Sequence, residues 1–168
     1  MKTTTNKDSE SVSGLNNSLI FSSKYFTLEE LTSSSTASRY NINNQPDEKA
    51  IYNLNCLCNL VLDPLRVSIN KPIKINSGYR SPQLNKMVGG SLASQHCYGK
   101  AADMIISGVP AQKLFDYIIK NPEITFDQVI LEFNRWVHIS YDPDKLKQRQ
   151  IKLIASFQNN RIKYQKID

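Results

Sequence analysis

The stretch FDQVILEFNRWVHISY, residues 126–141, decides the fold. Residues 126–133 and 136–141 are rich in β-branched and aromatic side chains, which favour extended strands. Asn134 and Arg135 separate the two runs and supply a turn signal. The stretch therefore predicts a β-hairpin, and it places Glu132 and His138 on neighbouring strands.

The sequence on either side of this hairpin also predicts strands. Residues 73–75 alternate between apolar and polar side chains, and residues 101–106 form a short apolar run typical of a buried strand. Pro110 begins an amphipathic helical pattern. Residues 151–157 predict a further strand. The second half of the chain is therefore mainly β-structure with one helix.

The first half of the chain predicts helices. Thr27 and Glu30 have the spacing of a capping box, which begins a short helix that the serine-rich cluster at 33–38 should end. A longer helix begins at residues 46–48, and Pro64 should kink or end it. Helices followed by strands without regular alternation predict an α+β fold, with N-terminal helices packed on a mainly antiparallel sheet.

Length and composition indicate one folded domain. The chain has 168 residues, of which 40% are hydrophobic. Residues 1–23 are rich in Ser, Thr and Asn, so we expect a disordered N-terminal arm followed by a single domain over residues 24–168. The first thirty residues lack the apolar block of a secretory signal, and no apolar run is long enough to span a membrane. We therefore expect synthesis in the cytoplasm and no membrane insertion.

Charge and cysteine content leave several interpretations open. The formal net charge is +6, and the densest basic segment is the C-terminal tail at residues 145–166. Such a tail suits a polyanionic partner (nucleic acid, an anionic membrane or a bacterial wall), but it is also typical of a solvated face. The three cysteines, Cys56, Cys58 and Cys97, do not form a disulfide framework, and we expect reduced, buried thiols.

The chain has only two histidines, and they lie near suitable metal-ligating partners. His96 precedes Asp103 by seven positions, with a turn at Tyr98-Gly99 between them, and His138 lies on the second strand of the hairpin. A hydrolytic zinc site needs three nitrogen or oxygen ligands and one open position. His96, Asp103 and His138 supply such a set.

Several short motifs surround these residues: SGYRSP (77–82), LN (84–85), VGGS (88–91), SQH (94–96), GKAAD (99–103) and WVHIS (136–140), with FTLEEL (26–31) and LDPLR (62–66) upstream. Together these motifs closely resemble those of the zinc D-Ala-D-Ala carboxypeptidase family. The family includes peptidoglycan peptidases of phages and bacteria and is related to the D-alanyl-D-alanine dipeptidases and the hedgehog domain. The resemblance covers roughly residues 24–142.

The resemblance implies a role for each matching residue. His96, Asp103 and His138 become the ligands of one zinc ion per chain. Arg80 becomes the arginine that meets the substrate carboxylate or a peptide oxygen, a role suited to a permanently charged guanidinium, although it could also form a salt bridge that holds its loop. Ser94 and Gln95 become substrate-contacting residues or shape the wall of the site.

The general base is the point at which this chain departs from its relatives. Relatives supply it three residues before the last metal ligand or two before it, and here these positions are Arg135 and Trp136. Glu132, six residues before His138, is our candidate for the base. A strand carboxylate paired with Arg135 or Lys100 is the alternative interpretation of Glu132.

The geometry of the hairpin decides whether Glu132 can face the metal. A two-residue loop at Asn134-Arg135 would pair Glu132 with Val137, which points away from His138. A three-residue loop over 134–136 would pair Glu132 with His138 on one face. The sequence is compatible with both loops. Asp127 and Asp142 are weaker candidates for the base.

These observations predict a zinc peptidase that acts on peptidoglycan stem peptides at a D-alanine-containing bond, as a carboxypeptidase or an endopeptidase. Its setting would be phage lysis, a virion-borne wall-cutting step, or cytoplasmic recycling of wall peptides. We expect a monomer without a nucleic-acid partner. The rival prediction is a catalytically silent, zinc-containing module that binds the cell wall.

Overall fold

The computed structural model describes residues 20–159 and 161–167. Most of the predicted N-terminal arm, residues 1–19, therefore lies outside the described residues. The remaining part of that segment contacts the helices that follow: Asn59 Nδ2 donates a hydrogen bond to the carbonyl of Ser22, and Ser23 Oγ donates one to Asp63 Oδ1. The described chain thus begins with a non-helical segment that packs against the helical layer.

Helices dominate the first half, as predicted. Their bounds are α1 Leu28–Thr32, α2 Ser35–Arg39, α3 Glu48–Leu57 and α4 Asp63–Ile69, with a π-helical turn at Cys58–Leu62 between α3 and α4. The capping box of α1 is present, because Thr27 accepts from the Glu30 amide and Glu30 accepts from the Thr27 amide. The start of α3 has Asp47 as its N-cap, so Pro46 lies just before the helix.

The structure refines two local predictions in this layer: the serine-rich segment ends α1 as predicted, and Pro64 does not end the long helix. The serine-rich segment does not only end α1: Ser34 caps a second short helix, α2, by accepting a hydrogen bond from the Ala37 amide. Pro64 does not end the long helix, because it lies in the first turn of α4, where no amide donor is needed. The π-helical turn before Pro64 accommodates the loss of one backbone amide donor, so the chain stays helical through Pro64.

The second half supplies a sheet with six strands in the described residues. The strands are β1 Lys74–Ser77, β2 Ala101–Ile105, β3 Gln128–Glu132, β4 Trp136–Ser140, β5 Ile151–Gln158 and β6 Arg161–Ile167, in the order β1-β2-β4-β3-β5-β6. Every pair is antiparallel except β3 with β5, which are parallel. The fold is therefore α+β with a mostly antiparallel sheet, which confirms the prediction.

Short elements connect the strands. Helix α5 (Pro82–Met87) and a 3-10 turn (Gln95–Tyr98) lie between β1 and β2, and helix α6 (Ala111–Lys120) follows Pro110 as predicted. The predicted strand at 151–157 is β5, but β6 was missed. Asn159 at the turn between them has a positive φ, which asparagine tolerates better than most residues.

One core joins the helical layer to the sheet. Leu54, Leu57 and Leu65 from the helices are fully buried together with Val137 and Ile139 from β4. Because β4 alternates, these two residues point into the core while His138 points to the opposite face of the sheet. None of the described helices has the length and apolar character needed to cross a bilayer.

Candidate metal centre

The three predicted metal ligands converge on one face of the sheet. Asp103 on β2 and His138 on β4 are direct cross-strand partners, so their side chains share a face. The 3-10 turn that precedes β2 places His96 against this pair. All three residues are buried. The sequence separation of 42 residues between the histidines is closed by the pairing of β2 with β4.

The ligand atoms lie almost equally far from one another. His96 Nε2 is 3.1 Å from His138 Nδ1, His138 Nδ1 is 3.0 Å from Asp103 Oδ1, and His96 Nε2 is 3.2 Å from the same oxygen. Ligands bound to zinc at about 2.0 Å in a tetrahedral arrangement would be roughly 3.3 Å apart. Two imidazole nitrogens and one carboxylate with this spacing fit a zinc ion that keeps one position open.

A backbone carbonyl fixes the orientation of His96. The Nδ1–H of His96 donates to the carbonyl oxygen of Gly78 at 2.7 Å, which leaves the Nε2 lone pair facing Asp103 and His138. Residue 78 must be glycine for this approach, because a Cβ atom there would lie 2.3 Å from the carbonyl oxygen of Leu31. This hydrogen bond selects the tautomer that a metal ligand needs.

Burial and charge set the protonation of the group. Burial lowers the pKa of His96, which favours the neutral imidazole. Burial alone would raise the pKa of the Asp103 carboxyl, but the adjacent His96 and His138 outweigh that effect and hold it well below its ordinary value. A neutral imidazole and an ionised carboxylate are the forms that bind metal ions.

Glu132 lies on the same face as the metal ligands. The hairpin loop has three residues, 133–135, so Glu132 pairs with Trp136 while Ile130 pairs with His138. The observed register differs from both predicted registers. Because the loop has an odd number of residues, however, Glu132 still lies on the same face of the sheet as His138, as it would with the predicted three-residue loop. Glu132 forms no salt bridge within the described part of the chain.

The carboxyl of Glu132 has a higher pKa in the folded protein than it would have in water. Burial raises the pKa of the Glu132 carboxyl, and the negative charge of Asp103 raises it further, against smaller opposing effects of His138 and Arg80. A carboxylate with a raised pKa is a stronger proton acceptor once ionised, which suits a general base. Glu132 therefore has the position and the electrostatic setting of the predicted base.

The two weaker candidates for the base are held in ion pairs. Asp127 is completely buried and accepts hydrogen bonds from Arg149 and Lys145. Asp142 pairs with Lys100 and Lys145. Because these cations occupy both carboxylates, neither aspartate is available to take a proton from a water in the cleft.

Arg80 reaches the group through its guanidinium. Its Nη2 donates to Asp103 Oδ2 at 3.2 Å, while its Nε is buried without a hydrogen-bond partner in the described residues. The salt bridge that the sequence offered as an alternative thus exists, and Arg80 also lines the cleft. Ser94 and Gln95 both line the cleft, and Gln95 Nε2 donates to Asp127 Oδ2 at 3.0 Å.

The metal centre opens into a cleft of about 1040 Å³. Sequence reasoning missed a large part of its wall: Phe157, Ile162 and Tyr164, which lie on β5 and β6. A signal was present, because Asn159-Asn160 between two alternating runs is a hairpin turn signal. The cysteines lie outside the metal group and are free thiols; Cys58 is buried as predicted, whereas Cys56 and Cys97 are half-buried.

Comparison with known proteins agrees with this geometry. The family model described as Peptidase M15 matches residues 24–140, which is more than two thirds of the chain and includes the ligands, Arg80 and Glu132. The comparison with curated proteins gives no match. The matched region ends at β4, so β5 and β6 lie beyond it. The chain belongs to the Peptidase M15 family, the zinc D-Ala-D-Ala carboxypeptidase family that its motifs resemble.

Proposed function

We propose that the chain is a zinc-dependent peptidase that hydrolyses peptidoglycan stem peptides at a bond involving D-alanine. The observation that carries this proposal is the convergence of His96, Asp103 and His138 on the floor of a cleft, with Glu132 on the same sheet face. Family membership supports a metallopeptidase, and the choice of substrate follows the D-alanine peptidases that the motifs resemble.

His96, Asp103 and His138 would hold one zinc ion per chain. The donor set favours zinc, because catalytic zinc sites combine imidazole and carboxylate ligands with an open position. When bound, zinc supplies a Lewis acid that polarises the scissile carbonyl and makes a neighbouring water more acidic. Arg80 holds the second oxygen of Asp103, so the ligand oxygen Oδ1 stays directed at the histidines.

Glu132 moves the proton in the proposed reaction. Its carboxylate takes a proton from the attacking water and delivers it to the nitrogen of the leaving amine. The hydroxyl group of the water bonds to the carbonyl carbon, the C–N bond breaks, and the products are a carboxylic acid and an amine. Glu132 needs no external oxidant or reductant for this step and returns to its starting state.

Arg80 and the turn before β2 would bind the substrate. Arg80 lines the cleft, and its guanidinium would donate to a substrate carboxylate or peptide oxygen, since a guanidinium donates strongly to such acceptors. Ser94 and Gln95 line the same cleft and offer polar contacts to the substrate backbone. Trp136 forms part of the wall beside Glu132.

The proposed setting is degradation of the bacterial cell wall by a phage lysin or a virion-borne enzyme, or recycling of wall peptides in the cytoplasm. The net charge of +6 supports an anionic wall polymer as partner. The enzyme would act as a monomer and without nucleic acid. These statements follow from the substrate proposal.

Mass spectrometry of purified peptidoglycan after incubation with the protein tests the proposal. We expect loss of D-alanine or splitting of cross-links, which a chelator abolishes and added zinc restores. Glu132→Gln serves as the inactive control, and Glu123→Gln, at an exposed loop position, as the active one. Stoichiometric zinc without any cleavage would contradict the proposal and favour the silent wall-binding module.

A further inference from the structure

The C-terminal hairpin, which consists of β5 (Ile151–Gln158) and β6 (Arg161–Ile167), extends the face of the sheet that carries the metal centre. Strand β5 pairs in parallel with β3, and β6 pairs antiparallel with β5, so both strands lie beyond the hairpin that holds Glu132 and His138. Both strands also lie beyond the family match, which ends at residue 140. The C-terminal hairpin is therefore an addition of this chain to the matched region.

Two rows of side chains run from the metal centre across this added surface. The first row is His138, Ile130, Leu153 and Lys166, and the second is Trp136, Glu132, Ala155 and Tyr164. With strands about 4.8 Å apart, Tyr164 lies roughly 10 Å from Glu132 along the second row. Burial raises the pKa of Tyr164, and the negative charges of Glu132 and Asp103 raise it further, which agrees with a position facing the same cleft.

The hairpin presents three exposed aromatic or apolar side chains to the cleft. Phe157 is 67% exposed, Tyr164 56% and Ile162 49%, although all three line the cleft. Phe133 stacks on Phe157 with ring centroids 4.5 Å apart and meets Trp136 edge-on at 5.7 Å. Aromatic rings fixed by their neighbours and open to solvent form a ready binding surface beside the metal centre.

The cleft continues on both sides of the metal centre. All six strands of the described sheet contribute lining residues, so the cleft spans roughly 24 Å across the sheet. At about 3.3 Å per residue, an extended peptide of roughly seven residues fits this length. The β1 side is lined by small polar residues such as Ser34, Thr36 and Ser91, whereas the β5–β6 side is apolar.

We propose that the C-terminal hairpin binds the part of the substrate that lies several residues from the scissile bond, and that the enzyme cuts internal bonds of extended peptides. This inference rests on the proposed peptidase function and narrows it from two alternatives to an endopeptidase. A substrate that passes through the cleft contacts polar residues on one side of the bond and the aromatic wall on the other. A free dipeptide reaches only the ligands and their immediate neighbours.

A length series of synthetic peptides tests the inference. Peptides of two, four and six residues carry the same D-alanyl bond at their centre, and kcat/KM is measured for each with the zinc-loaded full chain. We expect kcat/KM to rise at least about tenfold from two to six residues. In the double variant F157A/Y164A, kcat/KM should fall roughly tenfold more for six residues than for two.

Tyr40→Ala is the matched control, because Tyr40 is 58% exposed and lies outside the cleft lining. This variant should keep the wild-type dependence on length. An equal fall on all lengths in F157A/Y164A, or no fall at all, would overturn the role of the hairpin. A faster reaction on the dipeptide than on the hexapeptide would overturn the endopeptidase assignment.

Failure of the underlying function gives a different result. If the wild type cleaves no peptide of the series, the proposed function is wrong, and binding then tests the hairpin directly. Trp136 is the only tryptophan of the chain and lines the cleft, so its fluorescence reports peptide binding. Affinity for the hexapeptide should fall about tenfold in F157A/Y164A, and an unchanged affinity would overturn the inference.

Discussion

Gln95 donates a hydrogen bond from Nε2 to Oδ2 of Asp127 over 3.0 Å and so joins the turn that carries His96 to the beginning of β3. Asp127 is fully buried and also accepts from Lys145 Nζ at 3.0 Å and from Arg149 Nε at 2.9 Å. Asp127, which the sequence analysis named as a weaker candidate for the base, therefore has a structural role: it connects the turn that carries His96 to Lys145 and Arg149.

Asp127→Asn should destabilise the protein by about 1–3 kcal/mol, because two cations lose their ionic acceptor. Burial opposes ionisation of Asp127, but hydrogen bonds from Arg149 and Lys145 outweigh it and lower the pKa of the carboxyl. A lowered pKa contributes stability that is complete above the unfolded value of about 3.9 and is lost as the pH falls below it.

The loss of unfolding free energy between pH 5 and pH 2 should therefore be smaller in Asp127→Asn than in the wild type. Urea unfolding across this range measures it. Asp116→Asn on α6 is the control, because Asp116 accepts only an exposed hydrogen bond from Gln112. Identical pH dependence in the wild type and Asp127→Asn would show that the ion pairs contribute nothing.

His138→Ala should remove bound zinc and activity together, because two ligands hold zinc too weakly. Metal content measured by plasma mass spectrometry should fall from one per chain to a small fraction, while Cys56→Ala keeps the full amount. Chelation should likewise lower the melting temperature of the wild type, since zinc at a thousand times its dissociation constant stabilises by about 4 kcal/mol. Full zinc content in His138→Ala would remove His138 from the ligand set.

Glu132→Gln should keep zinc and lower kcat by about 10²–10⁴-fold, because the amide cannot accept the proton. The wild-type rate should fall at acidic pH as Glu132 becomes protonated, and this fall should be absent in the variant. Steady-state rates between pH 4 and pH 8 measure both effects. A rate within threefold of the wild type would exclude Glu132 as the base.

Arg80→Lys should lower kcat/KM about tenfold or more, because lysine keeps the charge but loses the planar fork that reaches Asp103 and the cleft together. Zinc content separates this effect from loss of the metal. Lys113→Arg, at an exposed position on α6 outside the cleft lining, is a control for changing one cation into the other. An unchanged kcat/KM would make Arg80 a structural residue only.

The sequence predicted the α+β fold because its signals are local and strong. Thr27 and Glu30 form a capping box from local sequence alone, and the alternation of Val137 and Ile139 with His138 predicts a strand. The three metal ligands could also be predicted, since the two histidines are the only ones in the chain and the motifs around them resemble those of a known family.

Local sequence signals could not predict the register of the β3–β4 hairpin or the residues that form the wall of the cleft. Phe133 and Asn134 both adopt positive φ, a conformation that phenylalanine seldom takes, so the loop begins one residue earlier than the turn signal indicates. Phe133 lies there because its ring stacks on Phe157, a contact across 24 positions of sequence. Tertiary packing therefore decided where Glu132 points.

The glycine that orients His96 also couples the metal centre to the first helix. Gly78 presents its carbonyl to His96 only because its own backbone packs against the carbonyl of Leu31, and the next amide, Tyr79, donates to that carbonyl at 2.6 Å. We therefore expect that metal binding at His96 and docking of α1 stabilise each other. Amide hydrogen exchange at Tyr79 should slow when zinc binds, so the hydrogen bond between Tyr79 and α1 would report whether the metal site is occupied.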